Sequence, residues 1–189
     1  MENQNQQVPA DYRELLIGCG SNRDKRLFLN DMPEKFQNLT TLDNNADHKP
    51  DYVFDLNRTG KELEPLPFPD NSFDEIHAYE VLEHLGGIGD YRFFFTEFSE
   101  YHRILKPGGH FCATVPSPQS PWALGDPSHT RLFHPYWLTF LSQKAYNEQV
   151  GVTAMSDFRS IYKADFEPMA EDFVDDGNTF LFVLRAIKG

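Results

Sequence analysis

Gly18 and Gly20 follow the apolar run Leu15-Leu16-Ile17, and three carboxylates, Asp43, Asp55 and Glu80, each close or lie just beyond a later strand-like stretch. Glycine lets a backbone pass close to a ligand and adopt dihedrals barred to other residues. A carboxylate about 20 residues after such a turn, ending the next strand, accepts hydrogen bonds from the two hydroxyls of a ribose. Asp43 stands at that position, and as a strand-end carboxylate it is expected to lie outside the core. A glycine pair alone is a weak signal. Asp43 and Asp55, both at strand ends, turn it into a reading of nucleoside binding. The competing reading of each aspartate is a turn residue, common in any α/β protein.

A second group of reactive residues lies in Ser117 to His134, a long stretch without periodicity that contains Gly125-Asp126-Pro127-Ser128-His129. Loops of this length in a compact domain usually carry function. His129 is the first candidate for a catalytic base on the substrate side, with Asp126 beside it; His84 and His134 are further candidates. In the competing reading Asp126 caps a turn and His129 serves loop backbone groups. Asp126, His129 and His134 are also spaced compatibly with zinc or iron. No cysteine cluster or His-Glu-x-x-His pattern supports a metal, and none is assigned. Trp122, Phe133, Tyr136 and Trp137 beside the loop could wall a substrate pocket.

The elements that must position these groups read as strands with helices between them. Leu15 to Ile17, Leu39 to Asp43, Tyr52 to Asp55, Phe73 to Ala78 and Phe111 to Val115 are expected strands. Asp90 is placed to cap a helix from Tyr91 to Lys106, with Phe94, Phe98, Tyr101 and Leu105 on one face and Pro107-Gly108-Gly109 as its stop. Glu83 and His84 are expected at a helix start. Pro135 suits the first turn of another helix, to about Tyr146. Phe158 to Phe166 and Thr179 to Ile187 read as two closing strands that pair as a hairpin. Between Gly20 and Leu39 a crossover helix is due, but Pro33 interrupts it and the apolar spacing is poor, so a short or irregular segment is expected.

The 189 residues suit one domain, 1–189, with a frayed polar terminus at 1–10 and a substrate-side loop at 117–134. A net charge of -12 opposes a polyanionic partner, so duplex nucleic acid is disfavoured. A local basic patch around Arg23, Lys25 and Arg26 is the one reservation. Cys19 and Cys112 lie at apolar strand ends and read as buried free thiols. A reducing, cytoplasmic setting follows, with no membrane partner, since no apolar run approaches the roughly 20 residues that span a bilayer.

Taken in order, Gly18-Cys19-Gly20, Leu42-Asp43, Asp55-Leu56, Leu66 to Asp74, Glu80-Val81-Leu82-Glu83-His84-Leu85 and Arg103 to Gly109 resemble the class I S-adenosylmethionine-dependent methyltransferases, closest to their small type 11 branch. The resemblance implies an α/β, Rossmann-like doubly wound sheet of about seven strands, mostly parallel with the last strand antiparallel. It implies S-adenosylmethionine as cofactor and S-adenosylhomocysteine as product. Gly18, Cys19 and Gly20 would pass under the methionine and ribose, Asp43 would hold the ribose hydroxyls, Asp55 and Leu56 the adenine, and Glu80 the methionine side. Two departures stand out: Leu16 replaces a usual acidic residue, and Asn22 a usual third glycine. The methyl acceptor is unidentified, a small molecule or a protein residue being favoured over duplex DNA. A catalytically inactive, S-adenosylmethionine-binding protein of the same fold is the alternative. A nicotinamide oxidoreductase is a weaker rival, because Arg23 occupies the third glycine's place in its motif.

Overall fold

The computed structural model describes residues 8–57 and 64–189. Most of the expected frayed terminus, residues 1–7, lies outside the described residues, and Pro9 and Ala10 are exposed. Seven strands form one sheet: β1 (Glu14–Ile17), β2 (Leu39–Asp43), β3 (Tyr52–Val53), β4 (Phe73–Tyr79), β5 (Leu105–Pro116), β6 (Phe166–Val174) and β7 (Thr179–Ala186). Their spatial order is β3-β2-β1-β4-β5-β7-β6. The first five run parallel, and β7 lies antiparallel between β5 and β6. β1 sits mid-sheet, with β2 on one side and β4 on the other. The winding direction therefore reverses at β1, and a crevice opens beyond its carboxyl end, where sheets of this kind take their ligands.

β1 shows how a short strand serves two faces. Leu15 and Ile17 join the large core under helix α1 (Tyr91–Ile104), and Leu16 packs with Cys19 and Tyr79 on the opposite face. Asp90 caps α1 by accepting the Phe93 N–H at 3.1 Å. The expected face of Phe94, Phe98 and Tyr101 is buried, and Tyr101 stacks on Phe111 of β5 at 4.7 Å between centroids.

The end of α1 departs from expectation. Helix stops at Ile104, and Lys106 to Gly109 belong to β5. Pro107 forces its predecessor into an extended conformation. The pairing with β4 jumps from Phe73–Leu105 to Glu75–His110, so the intervening residues form a bulge. Lys106 pairs with Asp74 at 2.8 Å instead of facing a helix terminus.

No helix forms across residues 21–38. Irregular chain covers the second face of the sheet, with Leu27, Met32 and Phe36 packed on it. A buried polar network sits there as well. The Lys25 ammonium is wedged between Glu14 at 2.8 Å and Glu75 at 2.5 Å, while Glu75 also meets His77 at 2.6 Å and Tyr12. The expected basic patch is thereby dissolved. Lys25 is buried, Arg23 donates to the His48 and Lys49 carbonyls, and Arg26 lies over the Tyr79 ring.

Three further elements differ. β3 is only two residues long, which leaves Asp55 beyond the strand. The helix expected from Pro135 to Tyr146 divides at Ser142 into a 3-10 segment, Pro135–Leu141, and α3 (Gln143–Gln149); the extended Ser142 caps α3 through the Ala145 N–H. Phe158 to Tyr162 turns, because Phe158 and Tyr162 pack on Phe95 at 5.0 and 4.9 Å; the strand begins only at Phe166. Cys19 and Cys112 are buried free thiols. No described helix is long and apolar enough to cross a membrane.

Candidate functional site

Beyond the carboxyl ends of β1, β2 and β4 lies a cavity of about 300 Å³. It is lined by Gly18, Asp43, Asp55, Leu56 and Glu80. Gly18 takes a left-handed φ of 59°, and a Cβ there would stand 2.4 Å from Val81 Cγ2, so no other residue fits. Gly20, also left-handed at 52°, has open space where its Cβ would point, and its N–H donates to Asp43 at 2.8 Å. Cys19 does not line the cavity; its side chain turns into the second-face cluster beside Leu16 and Tyr79.

Asp43 is 6% exposed, a core position rather than a bare strand end. It accepts N–H bonds from Gly20 and Asn45, each at 2.8 Å, and lies 3.3 Å from His48 Nδ1. Burial pushes its carboxyl up, but the amide bonds from Asn45 and Gly20, with His48, outweigh that and hold it below the usual carboxylate range. Oδ2 takes the Gly20 N–H and keeps a second lone pair that can accept from a diol, while Oδ1 is shared by the Asn45 N–H and His48. Asp55 is exposed and accepts the Asn57 N–H. Asn57 ties this rim to the turn opposite, donating to the His84 carbonyl at 2.6 Å and accepting the Gly86 N–H at 2.7 Å. Glu80, at a φ of 55°, is held left-handed at the end of β4, a strained state for a residue with a side chain.

A second cavity, of about 320 Å³, adjoins the first and shares Glu80 and His84 with it. His129, Asp126, Glu83 and Trp122 line it. Leu82–His84 is a single 3-10 turn, not the start of a helix. Asp126 shapes the loop, taking the Ser128 N–H at 2.8 Å and hydroxyl at 2.6 Å, which holds its carboxyl below its ordinary range. The His129 ring meets that of His84 edge-on at 4.7 Å, and its Nδ1 is buried without a partner. Glu83 is 2% exposed, and both its carboxylate oxygens lack hydrogen-bond partners. Burial pushes its carboxyl up to about 8, and the neighbouring Glu80 adds to the shift.

The loop is anchored. Thr130 and Arg131 donate their N–H groups to the Glu83 carbonyl at 2.9 and 3.2 Å. The Arg131 guanidinium, 2% exposed, reaches the Leu82 carbonyl at 2.7 Å and pairs with Glu97 at 2.8 Å. His134 lies outside this assembly, capping the 3-10 segment through the Tyr136 N–H. Of the four aromatics, Phe133 and Trp137 stay together at 5.4 Å between centroids, and Trp122 and Tyr136 lie apart from them. Trp122 borders this cavity and Phe133 stacks on Phe182 in the core. Tyr136 is exposed, and Trp137 walls a separate apolar cavity of about 330 Å³ against α1.

Residues 15–113, just over half of the chain, match the methyltransferase domain family of type 11. The chain belongs to that family. S-adenosylmethionine is the cofactor this methyltransferase family uses. The domain is 27% identical over 113 residues to the sterol 24-C-methyltransferase erg-4 of Neurospora crassa, an alignment covering 55% of this chain and 27% of that protein. It spans about a quarter or less of the length of the curated relatives it matches. Among solved structures, it is similar to a methyltransferase of Haloferax volcanii in complex with the activator Trm112, with a TM-score of 0.56 and 16% identity, over 94% of this chain and 84% of that one. It is also similar to the 1,6-didemethyltoxoflavin-N1-methyltransferase of Burkholderia thailandensis, solved with S-adenosylhomocysteine, with a TM-score of 0.53 and 14% identity, over 93% of this chain and 71% of that one. Both likenesses are of fold.

Within this methyltransferase domain the two departures have local explanations. Leu16 points to the second face, where it is 2% exposed. Asn22 does not adopt the left-handed backbone a glycine there would permit; its side chain accepts the Asp24 N–H at 2.8 Å. The residues sequence reasoning passed over are Asn57, Glu83 and Arg131. Only Glu83 left a signal, a carboxylate beside His84 within an apolar stretch.

Proposed function

We propose that this domain transfers the methyl group of S-adenosylmethionine to an acceptor held in the second cavity. The nucleoside occupies the first cavity, with Asp43 on the ribose, Asp55 and Leu56 at the adenine, Gly18 and Gly20 beneath, and Glu80 toward the methionine. The observation carrying this reading is that the two cavities meet at Glu80 and His84. A sulfonium methyl at that junction faces an acceptor on the other side. The acceptor's lone pair attacks the methyl carbon, the carbon–sulfur bond breaks, and the electron pair stays on sulfur. The protein's task is alignment in a partly dry site.

On the acceptor side, His129 reaches the cavity, and Asp126 acts through Ser128 on the loop carrying it. Asp43, Asp55, Glu80 and Asp126 make both cavities acidic, as does the chain overall. That field suits a small molecule or a protein residue and opposes a polyanion such as duplex DNA.

Isothermal calorimetry with S-adenosylmethionine and S-adenosylhomocysteine, followed by a turnover screen on small-molecule and peptide acceptors, tests the proposal. Binding with turnover is expected. Binding without turnover on any acceptor favours a non-catalytic, cofactor-holding protein, and absence of binding overturns the reading.

A further inference from the structure

We propose that Glu83, His84 and His129 form a binding site for a divalent transition-metal ion at the wall of the second cavity. One donor atom from each lies within 4.8 Å of the other two. Donors at about 2.0–2.2 Å from a shared ion stand roughly 3–3.5 Å apart, so modest side-chain rotation completes the set. Two imidazoles and one carboxylate suit zinc, cobalt, iron or manganese better than magnesium or calcium, which prefer oxygen throughout.

The strongest observation is Glu83. A carboxylate 2% exposed with neither oxygen hydrogen-bonded is costly unless something compensates it. Glu80 faces it, but two carboxylates both accept, and neither satisfies the other unless a proton or a cation lies between them. His129 adds a buried, unpartnered Nδ1. His84 is already oriented: its Nδ1 lies 3.2 Å from the Ser128 carbonyl, and with the proton placed there Nε2 carries the free lone pair. Such an outer bond is how metal-binding imidazoles are aimed. The juxtaposition is built rather than incidental, because the Arg131–Glu97 pair and the bonds to the Glu83 and Leu82 carbonyls fasten the His129 loop to the turn bearing Glu83 and His84.

Another cluster with suitable atoms, Glu14, Glu75 and His77, is a useful contrast. There the Lys25 ammonium already occupies the centre, and the carboxylates are engaged by it, by His77 and by Tyr12. Among the described residues no cation hydrogen-bonds Glu83; the Arg131 charge acts on it, but the guanidinium is directed to Glu97 and the Leu82 carbonyl.

The ion's remaining positions face the second cavity, where an oxygen or nitrogen of the acceptor would complete them. That consequence rests on the acceptor-side reading; the site itself does not.

The test is calorimetric titration of the chelator-stripped full chain with ZnCl2 and with CoCl2, and the latter's visible absorption. One equivalent should bind with a dissociation constant of micromolar order or tighter. Glu83→Gln and His129→Ala should each weaken it at least tenfold, while His102→Gln, remote from the site, leaves it unchanged. Melting curves of the stripped variants separate lost ligation from lost fold. Should both site variants unfold, zinc soaked into crystals of the unmodified chain decides, through an anomalous peak bonded to Glu83, His84 and His129. No binding, equal loss in His102→Gln, or a peak elsewhere overturns the proposal. S-adenosylmethionine titrated separately reports on the methyl-transfer reading, so the two can fail independently.

Discussion

Replacing Asp43 should damage both the cofactor site and the fold, by amounts that two substitutions separate. Its carboxylate takes the Gly20 and Asn45 N–H groups at 2.8 Å each, in a nearly buried position. A hydrogen bond to a charged group contributes about 1.5–3 kcal/mol, so Asp43→Ala removes roughly 3–6 kcal/mol before water enters the gap, and about 2–4 kcal/mol after partial rescue. Asp43→Asn retains one accepting oxygen but turns an amide toward the other N–H, and should lose about half as much. Both lose the charged acceptor for a ribose diol and should bind S-adenosylmethionine at least tenfold more weakly. Urea titration gives the stability differences and calorimetry the affinities. The sign with pH follows. The folded carboxyl lies below its unfolded value of about 3.9, so its stabilisation is full above roughly pH 4 and disappears as pH falls through the lower folded value. Asp43→Asn has no such titration, and its deficit should shrink in acid. Asp43→Ala within 0.5 kcal/mol of the parent chain, or undiminished affinity, would refute this reasoning.

Gly18→Ala should cost about 2–5 kcal/mol, from a left-handed backbone and from a Cβ 2.4 Å from Val81 Cγ2. Val81→Ala added to it should restore more than 1 kcal/mol, and a double-mutant cycle showing no coupling would count against the geometry. Lys25→Met leaves Glu14 and Glu75 buried without their cation, and should lower stability by about 3–5 kcal/mol and the melting temperature by roughly 6–15 °C. A shift under about 3 °C in a thermal melt would show that the network is better solvated than its burial indicates.

The parallel half of the fold was readable because its strands are short apolar blocks punctuated by glycine, proline and aspartate, and because α1 repeats its apolar residues at helical spacing. The carboxyl-terminal half was harder. β6 is a mostly exposed edge strand rich in acidic residues, with Pro168 at a register shift, so it lacks an apolar pattern. Phe158 and Tyr162 mimic a strand because they cover α1 rather than pair with neighbours. At the site, Gly18, Asp43, Asp55 and Glu80 stood out as a glycine turn and later strand-end carboxylates, whereas Leu56 and the ligand group assigned to each came from the family resemblance; all five line the first cavity. Asn57 and Arg131 did not stand out, since their roles depend on carbonyls and carboxylates distant in sequence. Glu83 was passed over because helix and 3-10 turn look alike over three residues, yet only the latter leaves its carboxylate buried beside His129.

A crystal structure of the chain with S-adenosylhomocysteine tests the two-cavity arrangement most directly. The ribose hydroxyls should lie within hydrogen-bond distance of the Asp43 carboxylate, the adenine against Asp55 and Leu56, and the sulfur beside Glu80, pointing toward the cavity that holds His129. A nucleoside bound elsewhere, or a sulfur directed away from that second cavity, would contradict it.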